Sequence, residues 1–457
     1  FEAIEQHGVD AVRLLLLGSG GLHLNRRFDP EAMSALRRQV IVPLVNCLQL
    51  FAHYANPAEF DPRRPAPAST RHLLDRWIRS RAATLAKTVA SRLDAYDLPG
   101  SVAALSEFVD AELSNWYVRR SRRRLHLGAP AERDAGLETL RHALGVAARC
   151  LAPVAPFAAE MLWHRLHPSD AEPESVHLQP FPSRDEGLDR DVDPALERAM
   201  DRALVAARLA RALREKHRVR TTVPLASLRV IAPEPDAATK QALAAVGPLL
   251  AEEVNVDRLE FASEASGVAV LRAKPHFPVL GKRAGKAMRA LQQAIEALPE
   301  REVARLRDGG TIAVEAGGSS FEIGPADVRI SAEALPGLVV ESDAGITVAL
   351  DVQVDASREA RGIARELASL VNQARRDGGF ALGDRCIVVL AAGDAAQRAL
   401  AGIDGGDGRA AWLADVRAAE LRLAEDAAEG PWISSEVAEG PPLRFRVERE
   451  GGRKSPT

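Results

Sequence analysis

The sequence has few cysteines and no long apolar run, and each of these two shortages excludes a class of protein. Cys47, Cys150 and Cys386 lie far apart in the chain. They form neither the close pairs of a zinc site nor a disulfide framework, and a reducing, cytoplasmic setting suits such sparse cysteine best. No stretch approaches the roughly 18 uncharged apolar residues of a membrane span. We therefore expect a cytoplasmic protein with no metal site in this chain and no membrane as partner.

The composition is that of a globular protein with several domains. The 457 residues are 46% hydrophobic and 27% charged, and at roughly 100–200 residues per domain this length predicts about three domains. The net charge is -3, from 60 basic and 63 acidic residues, and only 7 of the basic residues are lysine. This balance argues against a chain that is basic all over, but it leaves room for local arginine clusters that bind nucleic acid.

The first part of the chain has the periodicity of amphipathic helices joined by short polar segments, which is typical of an antiparallel bundle. Helices are predicted at residues 31–55, from about 74 to 96, from an N-cap at Ser101 onward, at residues 131–151 and at about 156–166. Pro43 should bend the first of these helices. The proline-rich residues 61–68 are a predicted linker.

The second part mixes strands and helices. Short apolar runs bounded by Gly, Pro or Asp predict strands at residues 228–231, 268–271, 311–314, 321–323, 328–330 and 346–354. Helices are predicted at about residues 194–217, 284–297 and 357–376. The predicted fold class is therefore multidomain, with an all-α helix bundle followed by an α+β (or α/β) region of two subdomains. The polar residues 450–457 are expected to be disordered.

The sharpest candidate for a binding site is an arginine-rich segment that follows two aromatic residues, Ser-Asn-Trp-Tyr-Val-Arg-Arg-Ser-Arg-Arg-Arg at residues 114–124. Arg119 and Arg123 stand one helical turn apart, as do Arg120 and Arg124, and like charges at this spacing are mildly destabilising. Phosphates suit the guanidinium fork, and Trp116 could stack on an unpaired base. In the alternative interpretation, the aromatic residues belong to the core and the arginines form a solvated face paired with acids.

A second basic cluster, at residues 280–286, resembles a phosphate-binding loop but lacks its requirements. The GxxxxGK[ST] pattern needs glycine where Leu280 stands and serine or threonine where Ala287 stands. We predict no nucleotide binding here, whereas Lys282 and Lys286 are candidates for contact with an RNA backbone. No nucleophile elbow, HExxH motif or carboxylate pair stands out, so no catalytic residue is assigned.

Taken in order, the motifs of the first part resemble one family. Residues 8–13 (Gly-Val-Asp-Ala-Val-Arg) resemble the segment that follows the KMSKS loop in class I aminoacyl-tRNA synthetases. Residues 25–29, 74–78 and 151–157 look like parts of the anticodon-binding domain of the isoleucine, valine and leucine enzymes, and residues 175–178 resemble the strand after it. Residues 113–124 are similar to the strongest signature of the isoleucyl enzymes.

The second part of the chain narrows this resemblance. Residues 274–286 and 349–366 resemble the C-terminal region of isoleucyl-tRNA synthetases of the eukaryote-like type. The coiled-coil arm usual in valyl enzymes and the cysteine-rich zinc module of the other isoleucyl subtype are missing from the sequence. The HIGH motif, the KMSKS loop and the Rossmann and editing domains are missing as well, and the chain opens at Phe1 within a helix-like pattern. We therefore expect a C-terminal portion without its catalytic domain.

The resemblance implies a longer enzyme that attaches isoleucine to tRNA-Ile with ATP and Mg²⁺, with any zinc held outside this chain. Residues 1–21 would be the tail of the catalytic and stem-contact region, 22–185 the helical anticodon-binding domain, and 186–350 and 351–449 two C-terminal subdomains. The implied partner is tRNA-Ile, bound by a monomer that has no aminoacylation activity alone. The predicted tRNA-binding residues are Trp116, Arg119, Arg120, Arg123, Arg124, Lys282 and Lys286.

Other interpretations stay open. Within the same class, the chain could derive from a valyl- or leucyl-tRNA synthetase. It could also be a standalone tRNA-binding module without catalysis. A helical scaffold for protein partners is the third interpretation, and it predicts no salt-dependent affinity for RNA.

Overall fold

The structure, a computed structural model, describes residues 2–20, 29–56, 58, 60–61, 72–167, 174–184, 186–233, 235–263, 269–307, 309–334, 337–381, 383–406, 408–424, 431–436 and 442–450. The motif at 25–29 and the predicted linker and tail lie largely outside these ranges. Contacts divide the chain into two compact units, Phe1–Asp201 with Ala237–Val246, and Arg202–Asp236 with Gly247–Thr457. No helix among the described residues is long and apolar enough to cross a bilayer.

The first unit is helical, which confirms the predicted fold class for this part of the chain. Its helices are α1 (Glu2–His7), α2 (Val9–Gly18), α3 (Pro30–Leu36), α4 (Val42–Ala55), α5 (Leu73–Asp94), α6 (Leu98–Glu107), α7 (Arg119–Leu127), α8 (Pro130–Leu151), α9 (Pro156–Leu166) and α10 (Glu186–Asp189). A π-helical segment, Arg37–Ile41, joins α3 to α4, and a second, Phe108–Val118, joins α6 to α7. Helices α11 (Pro194–Lys216) and α12 (Ala237–Val254) contribute residues to both units.

Two local predictions for the first unit are wrong. Helix α6 begins before Ser101, because Asp97 is the N-cap and its side chain accepts a 2.9 Å hydrogen bond from the Gly100 N–H. Ser101 instead lies buried inside the helix. Residues 175–178 form no strand, because Val176–Leu178 is a 3₁₀ turn whose start is held by Glu160, which accepts the Val176 N–H at 2.9 Å.

The core of the first unit is built from the predicted apolar stripes. Trp77 and Ile78 of α5, Leu113 of the second π-helical segment, and Leu140 and Leu144 of α8 are almost completely buried. Burying such side chains contributes about 1.5–3 kcal/mol each.

The second unit mixes helices with small sheets, which confirms the predicted class for the second part. Its remaining helices are α13 (Phe277–Ala284), α14 (Met288–Glu296), α15 (Glu300–Arg307), α16 (Ala356–Asp377), α17 (Asp394–Asp404) and α18 (Arg409–Asp415). The strands are β1 (Leu225–Ile231), β2 (Val256–Ala262), β3 (Ala269–Pro275), β4 (Ile312–Ala316), β5 (Ser319–Ile323), β6 (Val328–Ala334), β7 (Leu338–Asp343), β8 (Ile346–Asp351), β9 (Cys386–Ala391), β10 (Ala418–Ala424), β11 (Ile433–Ser435) and β12 (Leu443–Arg449).

In the part of the chain that the structure describes, these strands form four sheets. The two larger sheets have the orders β2-β1-β8-β7 and β10-β9-β12-β11, and the two smaller ones pair β3 with β6 and β4 with β5. Within each larger sheet one pair is parallel, β1 with β2 and β9 with β10, and the other pairs are antiparallel. All six predicted strands are present, as β1, β3, β4, β5, β6 and β8. The sequence does not predict the other strands found among the described residues, β2, β7, β9, β10, β11 and β12.

A buried arginine organises the start of the first sheet. Arg214 of α11 donates hydrogen bonds of 2.9–3.0 Å to four backbone carbonyls, those of Arg220, Val223, Val254 and Asn255. Its guanidinium has no carboxylate among these partners, so burial lowers the pKa of Arg214 to about 10. The arginine therefore acts as a multiple cap for chain turns that flank β1 and β2.

Arg214→Ala should destabilise the second unit. The substitution removes a donor from four carbonyls. Those of Arg220 and Asn255 keep a backbone N–H donor, whereas those of Val223 and Val254 lose the Arg214 guanidinium. Buried unsatisfied polar groups cost about 1–3 kcal/mol each, so we expect a loss of at least about 2 kcal/mol. Arg208→Ala on the same helix is the control, because both side chains of its ion pair with Asp343 are exposed and such a pair should contribute no more than about 1 kcal/mol. Urea denaturation checks this expectation, and equal losses in the two variants would contradict it.

Candidate nucleic-acid interface

The arginine-rich segment is helical, as predicted, and forms helix α7 at the end of one continuous helix that starts at Leu98. The π-helical segment inside it has a sequence cause. Val109, Leu113, Tyr117, Ser121 and Leu125 recur at a strict spacing of four and are all buried. In a regular α-helix such a run would drift by about 160° around the axis. The wider π-helical turn reduces that drift and keeps the run on the core side.

Trp116 lies in the core and offers no face to a base. Its side chain is 2% exposed and stands among the largest buried residues of the first unit. This burial argues against the predicted stacking of Trp116 on a base. The alternative considered from the sequence, that the aromatic residues belong to the core, describes both Trp116 and Tyr117.

Arg124 points inward and binds a buried carboxylate. Its two terminal nitrogens, Nη1 and Nη2, donate to Oδ2 and Oδ1 of Asp75 at 2.5 and 2.6 Å. The Tyr117 hydroxyl donates to Asp75 Oδ1 at 2.8 Å, and the backbone N–H of His72 donates to Oδ2 at 3.0 Å. This geometry argues against the predicted contact of Arg124 with tRNA, because its guanidinium is already held by Asp75.

The electrostatics of this cluster agree with its geometry. Burial opposes the charge of Arg124, but the hydrogen bonds and the negative charge of Asp75 outweigh it and raise the pKa of Arg124. Burial also raises the pKa of Tyr117 well above its usual value, and the neighbouring Asp75 charge adds to the rise. Gly136 of α8 permits the close packing, because a Cβ there would come within 2.8 Å of Leu125.

The remaining arginines of α7 face outward. Arg119, Arg122 and Arg123 are exposed and Arg120 is half-buried. Arg119 also donates from Nε to the carbonyl of Asn115 at 2.8 Å, which steadies its stem. Arg122 was part of the sequence cluster but not of the predicted contacts. Its exposure makes it an equal candidate, which the spacing argument missed because it paired only arginines four residues apart, and Arg122 has none at that distance.

A second buried ion-pair network fixes the helix that carries α7. Arg81 of α5 pairs with Glu112 of the π-helical segment at 2.5 Å and with Glu197 of α11 at 3.2 Å. Thr84 donates to Glu197 at 2.8 Å, and the Ser80 hydroxyl donates to the same oxygen. Burial raises the pKa of Glu112, while the Arg81 guanidinium opposes the rise. These contacts hold α5, the π-helical segment and the start of α11 together.

The sequence also predicts contacts with RNA at Lys282 and Lys286. Lys282 lies in α13 and Lys286 in a 3₁₀ turn, but their side chains are outside the described part of the structure. The part of the chain that the structure describes contains no group of three or more His, Cys, Asp or Glu side chains that could hold a metal ion.

Comparison with known proteins shows that part of the chain is similar to one protein family. Residues 75–231 match the family described as the anticodon-binding domain of tRNA ligase. This range starts at Asp75 and includes α7 and the Arg81 network. Residues 75–231 are therefore similar to the anticodon-binding domain of tRNA ligases.

The relatives extend the similarity over most of the chain. The isoleucine--tRNA ligase of Porphyromonas gingivalis is 36% identical over 403 residues, which cover 88% of this chain and 35% of that protein. The enzyme of the same name from Thermus thermophilus is 35% identical over 84% of this chain and 37% of its own length. That of Chlamydia trachomatis serovar D is 32% identical over 87% and 38%. The chain is thus a relative of isoleucine--tRNA ligases, and it spans little more than a third of their length.

Arg124→Ala should destabilise the first unit, whereas Arg123→Ala should not. Removing Arg124 leaves the fully buried Asp75 without its cation, and breaking a buried pair in this way costs about 3–5 kcal/mol. Exposed Arg123 should change the free energy of unfolding by no more than about 0.5 kcal/mol. Chemical denaturation followed by tryptophan fluorescence measures both, and a stable Arg124→Ala variant would show that the buried pair is not structural.

Proposed function

We propose that this chain binds tRNA-Ile through its anticodon-binding domain, as the tRNA-binding part of an isoleucine--tRNA ligase. The exposed arginines of α7 are the main support, because they lie on a rigid helix inside the range that matches the anticodon-binding family. Guanidinium groups suit phosphates, and each neutralised phosphate releases counterions. A net charge of -3 is compatible with this role because the basic groups are concentrated locally.

The same proposal covers the longer protein. The relatives named isoleucine--tRNA ligase are much longer than the part that this chain matches. We propose that a protein of that length activates isoleucine with ATP and Mg²⁺, with any zinc also bound outside this chain, and transfers the amino acid to tRNA-Ile in the cytoplasm. This chain would bind the tRNA as a monomer and would have no aminoacylation activity by itself.

The geometry supports different roles for the arginines of α7. Arg124 holds the helix to Asp75, whereas Arg119, Arg122 and Arg123 present their charges to solvent. A helix fixed by buried pairs loses little conformational entropy when a phosphate binds, because its backbone is already ordered. Contacts of this type position the RNA, and base recognition requires further groups.

The purified chain should bind a transcript of tRNA-Ile more tightly than one of tRNA-Val, with an affinity that falls steeply as salt rises. In the Arg119→Ala/Arg123→Ala variant, the slope of log K against log[salt] should become shallower by about 1–2, because about two phosphate contacts are lost. Trp116→Phe should retain the wild-type affinity for RNA. Filter binding or fluorescence anisotropy across a salt series gives these values.

Arg165→Ala is the matched control, since Arg165 is an exposed arginine on α9 and outside α7. Equal affinity for both transcripts would contradict isoleucine specificity and leave a general tRNA-binding role. Failure of a folded chain to bind either transcript would contradict the proposed function. Formation of isoleucyl-tRNA by the chain alone would overturn the statement that it lacks activity.

A further inference from the structure

A second basic feature of the first unit is a cleft between α5 and the turn that leads into α11. The cleft has a volume of 410 Å³ and is lined by Arg76, Arg79, Arg190, Asp191, Asp193 and Pro194 among others. This volume falls within the range of about 300–1,000 Å³ that is typical of ligand sites. It is therefore large enough for a phosphate group with part of its attached sugar.

Hydrogen bonds on the side that faces the core hold the walls of the cleft in place. Arg79 is largely buried and donates from Nε and Nη2 to Oδ2 of Asp191 at 3.0 and 2.9 Å. The backbone N–H of Asp193 donates to the Ser80 hydroxyl at 2.8 Å, and the Leu196 N–H donates to Asp193 Oδ1 at 3.1 Å. The turn that carries Arg190 is thus attached to α5 by hydrogen bonds on the side that faces the core.

The charged side chains at the mouth of the cleft can exchange their present partners for a bound anion. Arg76 pairs with Asp193 at 3.1 Å, but both side chains are well exposed, at 58% and 34%. Exposed pairs of this kind contribute about 0–1 kcal/mol, so an incoming phosphate can compete for Arg76 at little cost. Arg190 is exposed beside it. With three guanidinium groups against two carboxylates, and the first turn of the 23-residue helix α11 at its edge, the cleft favours an anion.

The cleft and α7 share the first turns of α5. Arg76 directly follows Asp75, the residue that holds Arg124, and Arg79 lies one turn further along. Four residues of helix span about 6 Å. Helix α7 and the cleft are therefore attached to neighbouring residues of the same helix.

We infer that this cleft seats a backbone phosphate of the same RNA that α7 contacts, held by Arg76 and Arg190. The inference rests on the proposed function and adds a second contact point to it. The arginines take the phosphate through their Nη groups, while Arg79 stays paired with Asp191 and keeps the turn in place. No base is read in the cleft, so this contact contributes affinity and orientation of the RNA and not sequence specificity.

The Arg76→Ala/Arg190→Ala variant tests the inference. Its affinity for tRNA-Ile transcript at low salt should fall by about tenfold, and the slope of log K against log[salt] should become shallower by about 1–2. Arg92→Ala is the matched control, because Arg92 lies on the same helix and forms an ion pair with Asp97 at the same 3.1 Å, at the opposite end. The control should bind like wild type, and thermal unfolding should show both variants folded.

Chemical footprinting supplies a readout that requires no substitution. Phenylglyoxal modification, located by mass spectrometry, should show Arg76 and Arg190 protected by bound tRNA and Arg92 unprotected. Inorganic phosphate at matched ionic strength should protect them much less than tRNA does. Equal protection by free phosphate would overturn the assignment to RNA and indicate a site for a small anion.

The remaining outcomes separate the two proposals. If the wild-type chain binds tRNA and substitutions in α7 weaken binding, but the cleft variant binds like wild type, the inference fails and the proposed function stands. If the folded wild-type chain does not bind tRNA, both fail.

Discussion

The buried carboxylate of Asp75 is the constraint on which the arginine helix depends. Moving a carboxylate out of water costs several kcal/mol, and only well-placed donors offset that cost. Arg124, Tyr117 and the His72 backbone supply these donors from α7, the π-helical segment and the start of α5. The carboxylate is satisfied only when these elements meet, so it fixes the rotation of α7 about its axis. That rotation decides which arginines face solvent.

The pairing of Arg124 with Asp75 also lowers the electrostatic repulsion among the arginines of α7. Several like charges within two turns repel one another, and no acidic residue of α7 itself compensates them. Asp75 neutralises one arginine at the base of the cluster, and Arg124 lies in the last turn of the helix, where a cation is favoured by the helix dipole. A bound polyanion would lower the repulsion among the exposed arginines further. A helix arranged in this way is stable when free and gains further from binding.

Much of this arrangement could be predicted from the sequence, and the parts that could not have physical causes. Stripes at spacings of three and four predicted the helices of the first unit, because burial of one face determines them. The pairing of Arg124 with Asp75 joins residues far apart in the chain, and the sequence contains no local signal for it. The strict spacing of four from Val109 to Leu125 did signal a π-helical segment, but it also resembled an ordinary stripe. Strand β12 alternates apolar and charged residues, yet its three arginines and one glutamate hid it.

The distribution of ion pairs explains how a chain of net charge -3 can offer a basic surface. In the first unit, four acids that pair with arginines lie on the inner side, and their pairs are largely buried: Asp75, Glu112, Glu197 and Asp191. Buried pairs are screened little by salt and do not respond to a ligand, whereas exposed charges respond to both. The arginines of α7 and the mouth of the cleft are of the exposed kind. RNA binding should therefore depend on where the charges lie and not on their sum. The affinity for RNA can fall steeply with salt while the stability of the fold stays insensitive to salt.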